Sequence, residues 1–202
     1  MTALPTPTLL VITDRTLARR PLPDLATAAF EAGLRWLMVR EKDLDEAALD
    51  ALVGDMVTRA RPFGAMVSVN GNAAVAARRG AGGVHLPQGH GVTEARRIAG
   101  EEALIGVSAH NQAEARKAAD DGADYVTLSP VFTPTSKPGH GPTLGVGELN
   151  RIAEVLPIPV IALGGITVDN AVTCEAAGVA VLGGVMGADD PGAVVTALLG
   201  SL

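Results

Sequence analysis

The sequence is poorest in aromatic residues and cysteine. Aromatics make up 2% of 202 residues, as one Trp, one Tyr and three Phe. A core of ordinary size must therefore come from Ala, Val, Leu and Ile, which dominate a hydrophobic content of 48%. Such a core suits a Val/Ile/Leu-rich parallel sheet wrapped by Ala-rich helices. Cys174 is the single cysteine, which excludes an intramolecular disulfide and a zinc cage made of cysteines. No apolar run approaches the ~18 residues of a membrane-spanning helix, and the N-terminus lacks a charged-then-apolar signal pattern. Positive charge is in deficit too. Sixteen Lys and Arg stand against 22 Asp and Glu, for a formal charge of -6. That balance argues against nucleic acid as the main partner but leaves room for a local basic site. The expectation is a soluble, cytoplasmic protein without a nucleic-acid or membrane partner.

What is present alternates. Short apolar runs lie at Leu9–Thr13, Trp36–Val39, Ala65–Val69, Gly83–Leu86, Leu104–Val107, Tyr125–Leu128, Val160–Leu163 and Val179–Leu182. Each is apolar almost throughout, as a strand buried on both faces should be. Between them lie Ala-rich amphipathic stretches, predicted as helices over Leu22–Gly33, Asp45–Arg61, Asn111–Gly122, Asp169–Gly178 and Asp189–Gly200. Asn111 followed by Glu114 has the spacing of a capping box. Glu31–Leu34, Asp121–Asp124 and Ala176–Val179 each end a helix on Gly and enter a strand. Parallel strands joined by helices give an open doubly wound sheet or a closed barrel. Eight such units without a domain break favour a single (β/α)8 barrel over residues 1–202, with the open sheet as the alternative.

In a barrel the chemistry sits on the loops after the strands. Runs seven and eight lead into Gly164-Gly165 and Gly183-Gly184. Paired glycines let backbone amides approach a ligand, and barrels frequently bind phosphate at these two loops. Phosphate binding is favoured over the plainer reading of tight βα turns. Run two ends in Val39-Arg40-Glu41-Lys42-Asp43. Arg40 and Lys42, two apart, either face one anion or form a solvated cluster capping the next helix. Asn70 and Gln88 follow runs three and four as polar liners, with helix capping the other reading for Asn70. His85 lies inside its strand and reads as core. His110, where run five stops, is either a general acid or base or a structural residue. The stretch Ser129–Gly147, rich in Pro, Gly, Thr and Ser, carries Ser136 and Lys137 and reads as a lid over an anionic ligand. No metal constellation stands out. Strand ends offer few carboxylates beyond Asp14 and Glu41, and the histidines lack helical ligand spacing.

Taken in order, these segments resemble the thiamine phosphate synthase and TenI superfamily. The carriers are Val11–Asp14, Val39–Lys42, Val69–Asn72, Gly83–Gln88, Val107–His110, Ala123–Val126, Ser129–Lys137, Ala162–Ile166 and Val181–Val185. The resemblance implies a thiamine-biosynthesis barrel that binds a thiazole phosphate. Its synthases join a pyrimidine methyl diphosphate to that phosphate. They hold the leaving diphosphate with magnesium, through an Asp directly after the third-strand Asn and another after the fourth strand. Gly71 and His90 stand at those places here, and Met38 stands where a Gln is usual. The departure favours a TenI-like thiazole tautomerase, which shifts a proton without metal. In that reading His110 is the catalytic group. Arg40, Lys42, Asn70, Gln88, Ser136 and Lys137 bind the substrate, and Gly164, Gly165, Gly183 and Gly184 hold its phosphate. No cofactor is expected, magnesium entering only if the chain is a synthase. That synthase and a non-catalytic binder of thiazole or thiamine phosphates are the alternatives. Association into a homo-oligomer is left open.

Overall fold

Each apolar run becomes one strand of a closed parallel barrel. A computed structural model describes residues 3–133 and 143–202. The strands are β1 (Leu9–Ile12), β2 (Trp36–Val39), β3 (Met66–Asn70), β4 (Gly83–Leu86), β5 (Leu104–Ala109), β6 (Tyr125–Leu128), β7 (Val160–Leu163) and β8 (Gly178–Val181). Every strand pairs with its successor, and β8 closes on β1 through Leu9–Val179, Leu10–Ala180 and Val11–Val181. The helices between them are α1 (Leu22–Glu31), α2 (Glu46–Ala60), α3 (Ala73–Arg79), α4 (Val92–Ala99), α5 (Gln112–Asp120), α6 (Gly145–Val155), α7 (Val168–Ala171), α8 (Gly183–Met186) and α9 (Pro191–Leu199). The single-domain (β/α)8 barrel expected from the alternation is the observed fold.

Period two divides each strand between two cores. One face packs on the helices, as Leu9, Val11, Leu37, Val39, Val67 and Val69 do. The other face fills the barrel, with Leu10, Ile12, Trp36, Met38, Leu104, Tyr125, Ile161 and Ala180 in one interior cluster. The chain's one Trp and one Tyr both lie there, edge to face at 4.9 Å. A Cβ on Gly106 would run into the Tyr125 ring, so the glycine makes room for the aromatic.

Side chains start the helices where the sequence places short polar residues. Asp45, Asn72, Asn111 and Asp190 accept from Ala48 N, Val75 N, Glu114 N and Ala193 N respectively. Beyond the five predicted helices the structure adds α3, α4, α6 and α8, and the helix predicted over Asp169–Gly178 closes after α7 at Ala171. Val172 and Thr173 are β-branched and Val172 is exposed, so no buried stripe draws the helix onward. Thr173 Oγ1 donates to Asn170 O instead, at 2.7 Å. β5 runs two residues further than predicted, which carries Ser108 and His110 to the barrel mouth.

Candidate active site

A cavity of about 440 Å³ opens at the C-terminal ends of the strands. That size accommodates a small organic ligand. Its apolar floor is Ile12, Leu163 and Ala180, the top of the barrel-interior cluster and its border. Two walls of different chemistry rise from this floor.

The first wall is backbone. Gly164 and Gly165 follow β7 with φ of 98° and 65°, a region L side chains rarely enter. A Cβ on Gly164 would lie 2.8 Å from Pro130 Cα, and one on Gly165 would lie 2.7 Å from Phe132 Cβ. Only glycine fits at either place. The Gly164 carbonyl accepts from Phe132 N at 3.0 Å, and the Gly165 carbonyl from Asn170 Nδ2 at 2.9 Å. A trans peptide sets its N–H opposite its C=O. Pinning these carbonyls therefore fixes the Gly165 and Ile166 amides away from Phe132 and Asn170. After β8, Gly183 and Gly184 open α8 and line the same cavity. The first amides of a helix have no partner within it. A Cβ on Gly183 or Gly184 would meet no protein atom.

The second wall is made of side chains: Arg40 and Lys42 after β2, Asn70 from β3, Ser108 from β5 and His110 directly after it, and Ser129 after β6. Arg40 and Lys42 share the parity of the inward-facing Trp36 and Met38, and both line the cavity. Glu41, between them, turns the other way and is buried. Its carboxylate accepts from Thr13 Oγ1 at 2.7 Å and from the Arg15 amide at 3.2 and 3.1 Å. Thr13 Oγ1 in turn accepts from Arg40 N at 2.9 Å. Glu41 thus ties the loop after β1 to the backbone that carries Arg40. Farther out, Arg15 pairs with Asp43, which holds the Asp43 carboxyl below its ordinary range.

His110 is held in the same manner. Glu114 accepts from the His110 amide at 2.8 Å and stands 2.9 Å from Nδ1. A carboxylate only accepts, so Nδ1 carries the proton and Nε2 is left free for the cavity. Partial burial pushes the Glu114 carboxyl up. The hydrogen bonds from the His110 amide, the His110 ring and Asn111 outweigh that push and hold it below the usual range. The expected capping box is altered in consequence, for Glu114 reaches back to the His110 backbone amide and the Asn111 side chain rather than to the Asn111 backbone amide.

Arg40, Lys42, Asn70, His110, Gly164, Gly165, Gly183 and Gly184 are therefore brought to one cavity. Gln88 is exposed beyond Pro87, and Pro87 lines the cavity in its stead. Ser136 and Lys137, with the central part of the expected lid, lie outside the described residues. Ser108 and Ser129 were not among the predicted liners. Extending the period of two from Leu104 through Gly106 to Ser108, and from Tyr125 through Thr127 to Ser129, would have found both.

Magnesium, which the resemblance implies for a synthase, can be tested against the donors present. Among the described residues lining the cavity there is no carboxylate, and no group of three His, Cys, Asp or Glu is placed to hold a metal. Gly71 occupies a turn at φ 74° with its amide on the His85 carbonyl, and His90 is exposed beside the Gln88 carbonyl. These residues do not fit a magnesium site built from protein carboxylates.

Comparison with known proteins fixes the family and corrects one expectation. The family model described as thiamine monophosphate synthase matches residues 9–185. A thiamine-phosphate synthase of Roseiflexus castenholzii is 40% identical over 93% of this chain and 85% of its own length. A bifunctional ThiM/ThiE protein of Symbiobacterium thermophilum is 40% identical over 88% of this chain, which spans 38% of that larger protein. The solved thiamine phosphate pyrophosphorylase of Pyrococcus furiosus superposes with a TM-score of 0.86 at 31% identity, covering 96% of this chain and 94% of that one. The expected tautomerase, an isomerase, is overturned by these names, which belong to a transferase. Its physical basis was narrow. It rested on Gly71, His90 and Met38, and Gly71 answers to its turn, while Arg40 and Lys42 line the cavity. The chain belongs to the thiamine monophosphate synthase family.

Proposed function

We propose that the protein is a thiamine-phosphate synthase, joining a pyrimidine methyl diphosphate to a thiazole phosphate. The observation that carries the reading is the pairing, in one cavity, of a backbone-amide wall with a basic wall. The reaction brings two phosphorylated substrates together, and each wall suits one anion. The amides around Gly165, Gly183 and Gly184 hold the thiazole monophosphate. Arg40, Lys42 and His110 hold the diphosphate, with Asn70 and Ser108 as neutral hydrogen-bonding groups beside them. The thiazole nitrogen then attacks the methylene carbon. The methylene carbon–oxygen bond breaks, and its electron pair leaves with the diphosphate.

The basic wall does the work on this step. Negative charge grows on the bridging oxygen as the bond breaks, and cations already in place stabilise it without reorganising. The apolar floor excludes water that would otherwise capture the methylene carbon. His110, read from sequence as the proton-transfer centre, becomes in this reading, with a second proton on Nε2 beside the one Nδ1 gives to Glu114, a donor to the leaving group. Thiamine phosphate formation from both substrates, followed across a magnesium titration, is the direct test. The expected outcome is product that requires both substrates. No product at any magnesium level would overturn the reading.

A further inference from the structure

The barrel interior holds a polar chain, His85 with Tyr125 and Thr127, that the proposed chemistry leaves unused. His85 on β4 is buried, and burial alone drives its imidazole down to about 3, so it is neutral. Its Nδ1 lies 3.0 Å from the Tyr125 hydroxyl. Its Nε2 lies 3.0 Å from Ser108 Oγ and 3.2 Å from Thr127 Oγ1. Tyr125 and Thr127 are fully buried, whereas Ser108 reaches the cavity. Burial likewise pushes the Tyr125 phenol up, so it keeps its proton.

A neutral imidazole donates from one nitrogen and accepts at the other. The phenol has His85 Nδ1 as its hydrogen-bond partner. A buried donor left unpaired is costly, and the phenol is a stronger donor than an aliphatic hydroxyl. The phenol therefore donates to Nδ1, and the ring proton sits on Nε2. Nε2–H then donates to Ser108, its nearer neighbour, and more weakly to Thr127. This fills a lone pair of Ser108 and leaves its O–H to point into the cavity. The opposite tautomer strands the phenol proton and sets two hydroxyls competing for one Nε2 lone pair, whereas the Nε2–H tautomer asks Thr127, the weaker donor, only to accept.

We propose that His85 is a positioning residue, locked by Tyr125 as the Nε2–H tautomer, that makes Ser108 a hydrogen-bond donor to an anionic oxygen of the diphosphate. The tautomer itself stands on the barrel interior alone. The role of Ser108 rests on the synthase reading.

Long-range proton–nitrogen correlation spectra of the wild-type protein, with ¹⁵N-labelled histidine, separate the two parts. Expected is an unprotonated Nδ1 and a protonated Nε2 for His85, whether or not the protein makes thiamine phosphate. The reverse assignment overturns the proposal. The functional part is read by calorimetric titration of inorganic diphosphate and by kcat/KM. Ser108→Ala is expected to weaken diphosphate binding about 10-fold, the worth of one hydrogen bond to a charged group. Tyr125→Phe frees the tautomer while keeping the ring, and is expected to weaken binding about 3-fold. In the Ser108→Ala background, Tyr125→Phe is expected to add nothing. An undiminished Tyr125→Phe effect in that background overturns the proposal, as does a Tyr125→Phe protein that binds like wild type. Absent synthase activity with the expected spectrum and binding would sink the synthase reading and leave the His85–Ser108 coupling standing.

Discussion

In the proposed reading the two walls of the cavity solve the same problem, anion binding, with opposite materials. The wall after β7 and β8 carries no formal charge. It consists of amides whose direction is set by glycine dihedrals and by carbonyls anchored to Phe132 and Asn170. The wall from β2, β3 and β5 carries charge on long side chains that must be steadied. Here the carboxylates stand behind the cations, not in front of the ligand. Glu41 secures the backbone of Arg40 through Thr13, and Glu114 secures His110. A backbone wall fails when a methyl group is added. A side-chain wall fails when a charge is removed or its backing is cut.

Removing a charge should have the largest effect. Arg40→Met keeps the apolar stem and deletes the guanidinium. A donor aimed at charge that develops in the transition state contributes about 10²–10³-fold in rate. A fall of that size in kcat/KM is expected, with the affinity for thiazole phosphate within about two-fold of wild type by calorimetry. If thiazole phosphate binding collapsed with it, the two walls would not be separate sites.

Adding a methyl group should break the other wall in two distinguishable ways. Gly165→Ala forces a Cβ to 2.7 Å from Phe132 Cβ in a left-handed conformation. Left-handed strain of about 1–2 kcal/mol and overpacking of about 1–3 kcal/mol add up. A fall in Tm of roughly 5–15 °C is expected, together with lost thiazole phosphate affinity. Gly183→Ala meets no protein atom. Its stability should stay within about 0.5 kcal/mol of wild type, while the new methyl occupies ligand space and weakens thiazole phosphate binding. Equal thermal losses in the two variants would refute the distinction between a strained turn and an open cradle.

How much of this was legible in the sequence follows from the same contrast. A glycine pair after a buried run shows itself directly, because its chemistry is local. The barrel was legible for the same reason, since each strand announces itself by a nearly unbroken apolar run such as Trp36–Val39. The side-chain wall was legible only where the period of two was carried past the strand end, as for Arg40 and Lys42. Ser108 and Ser129 lay one step further along that period. Gln88 fails the same test, since it shares the outward parity of Val84 and Leu86 while Pro87 takes the inward one. The backing role of Glu114 depends on how the chain enters α5, which composition does not set. His85 was read correctly as buried, but burial inside the barrel differs from burial beneath a helix. Only the closed topology shows that its neighbours include a cavity residue.

Cutting the backing should cost less than removing the cation. Both oxygens of Glu41 accept from donors, Thr13 Oγ1 and the Arg15 amide. Glu41→Gln keeps one acceptor and turns an NH₂ group against a donor. A loss of about 1–3 kcal/mol in stability is expected. The fall in kcat/KM should be about 5–20-fold, smaller than for Arg40→Met, because the cation remains. Urea unfolding and steady-state kinetics read the two effects. A kinetic loss as deep as that of Arg40→Met would place Glu41 in the chemistry rather than behind it.

Glu114→Gln should have the smallest effect, and its pH dependence tests whether the backing is ionic. The glutamine oxygen can still accept from the His110 amide, so kcat/KM should fall only about 2–5-fold. Stability carries the sharper signal. The folded state holds the Glu114 carboxyl below its ordinary range, so on acidification the unfolded chain takes up this proton first. The contribution of Glu114 is therefore full above about pH 4.3, the ordinary glutamate value, and is lost as pH falls through the lower folded value. Wild type should exceed Glu114→Gln in urea midpoint at pH 6, and the gap should narrow as pH falls below about 4.3. A constant gap from pH 6 to pH 3 would mean that Glu114 supports His110 by shape alone. The side-chain wall would then resemble the backbone wall more closely than its charges suggest.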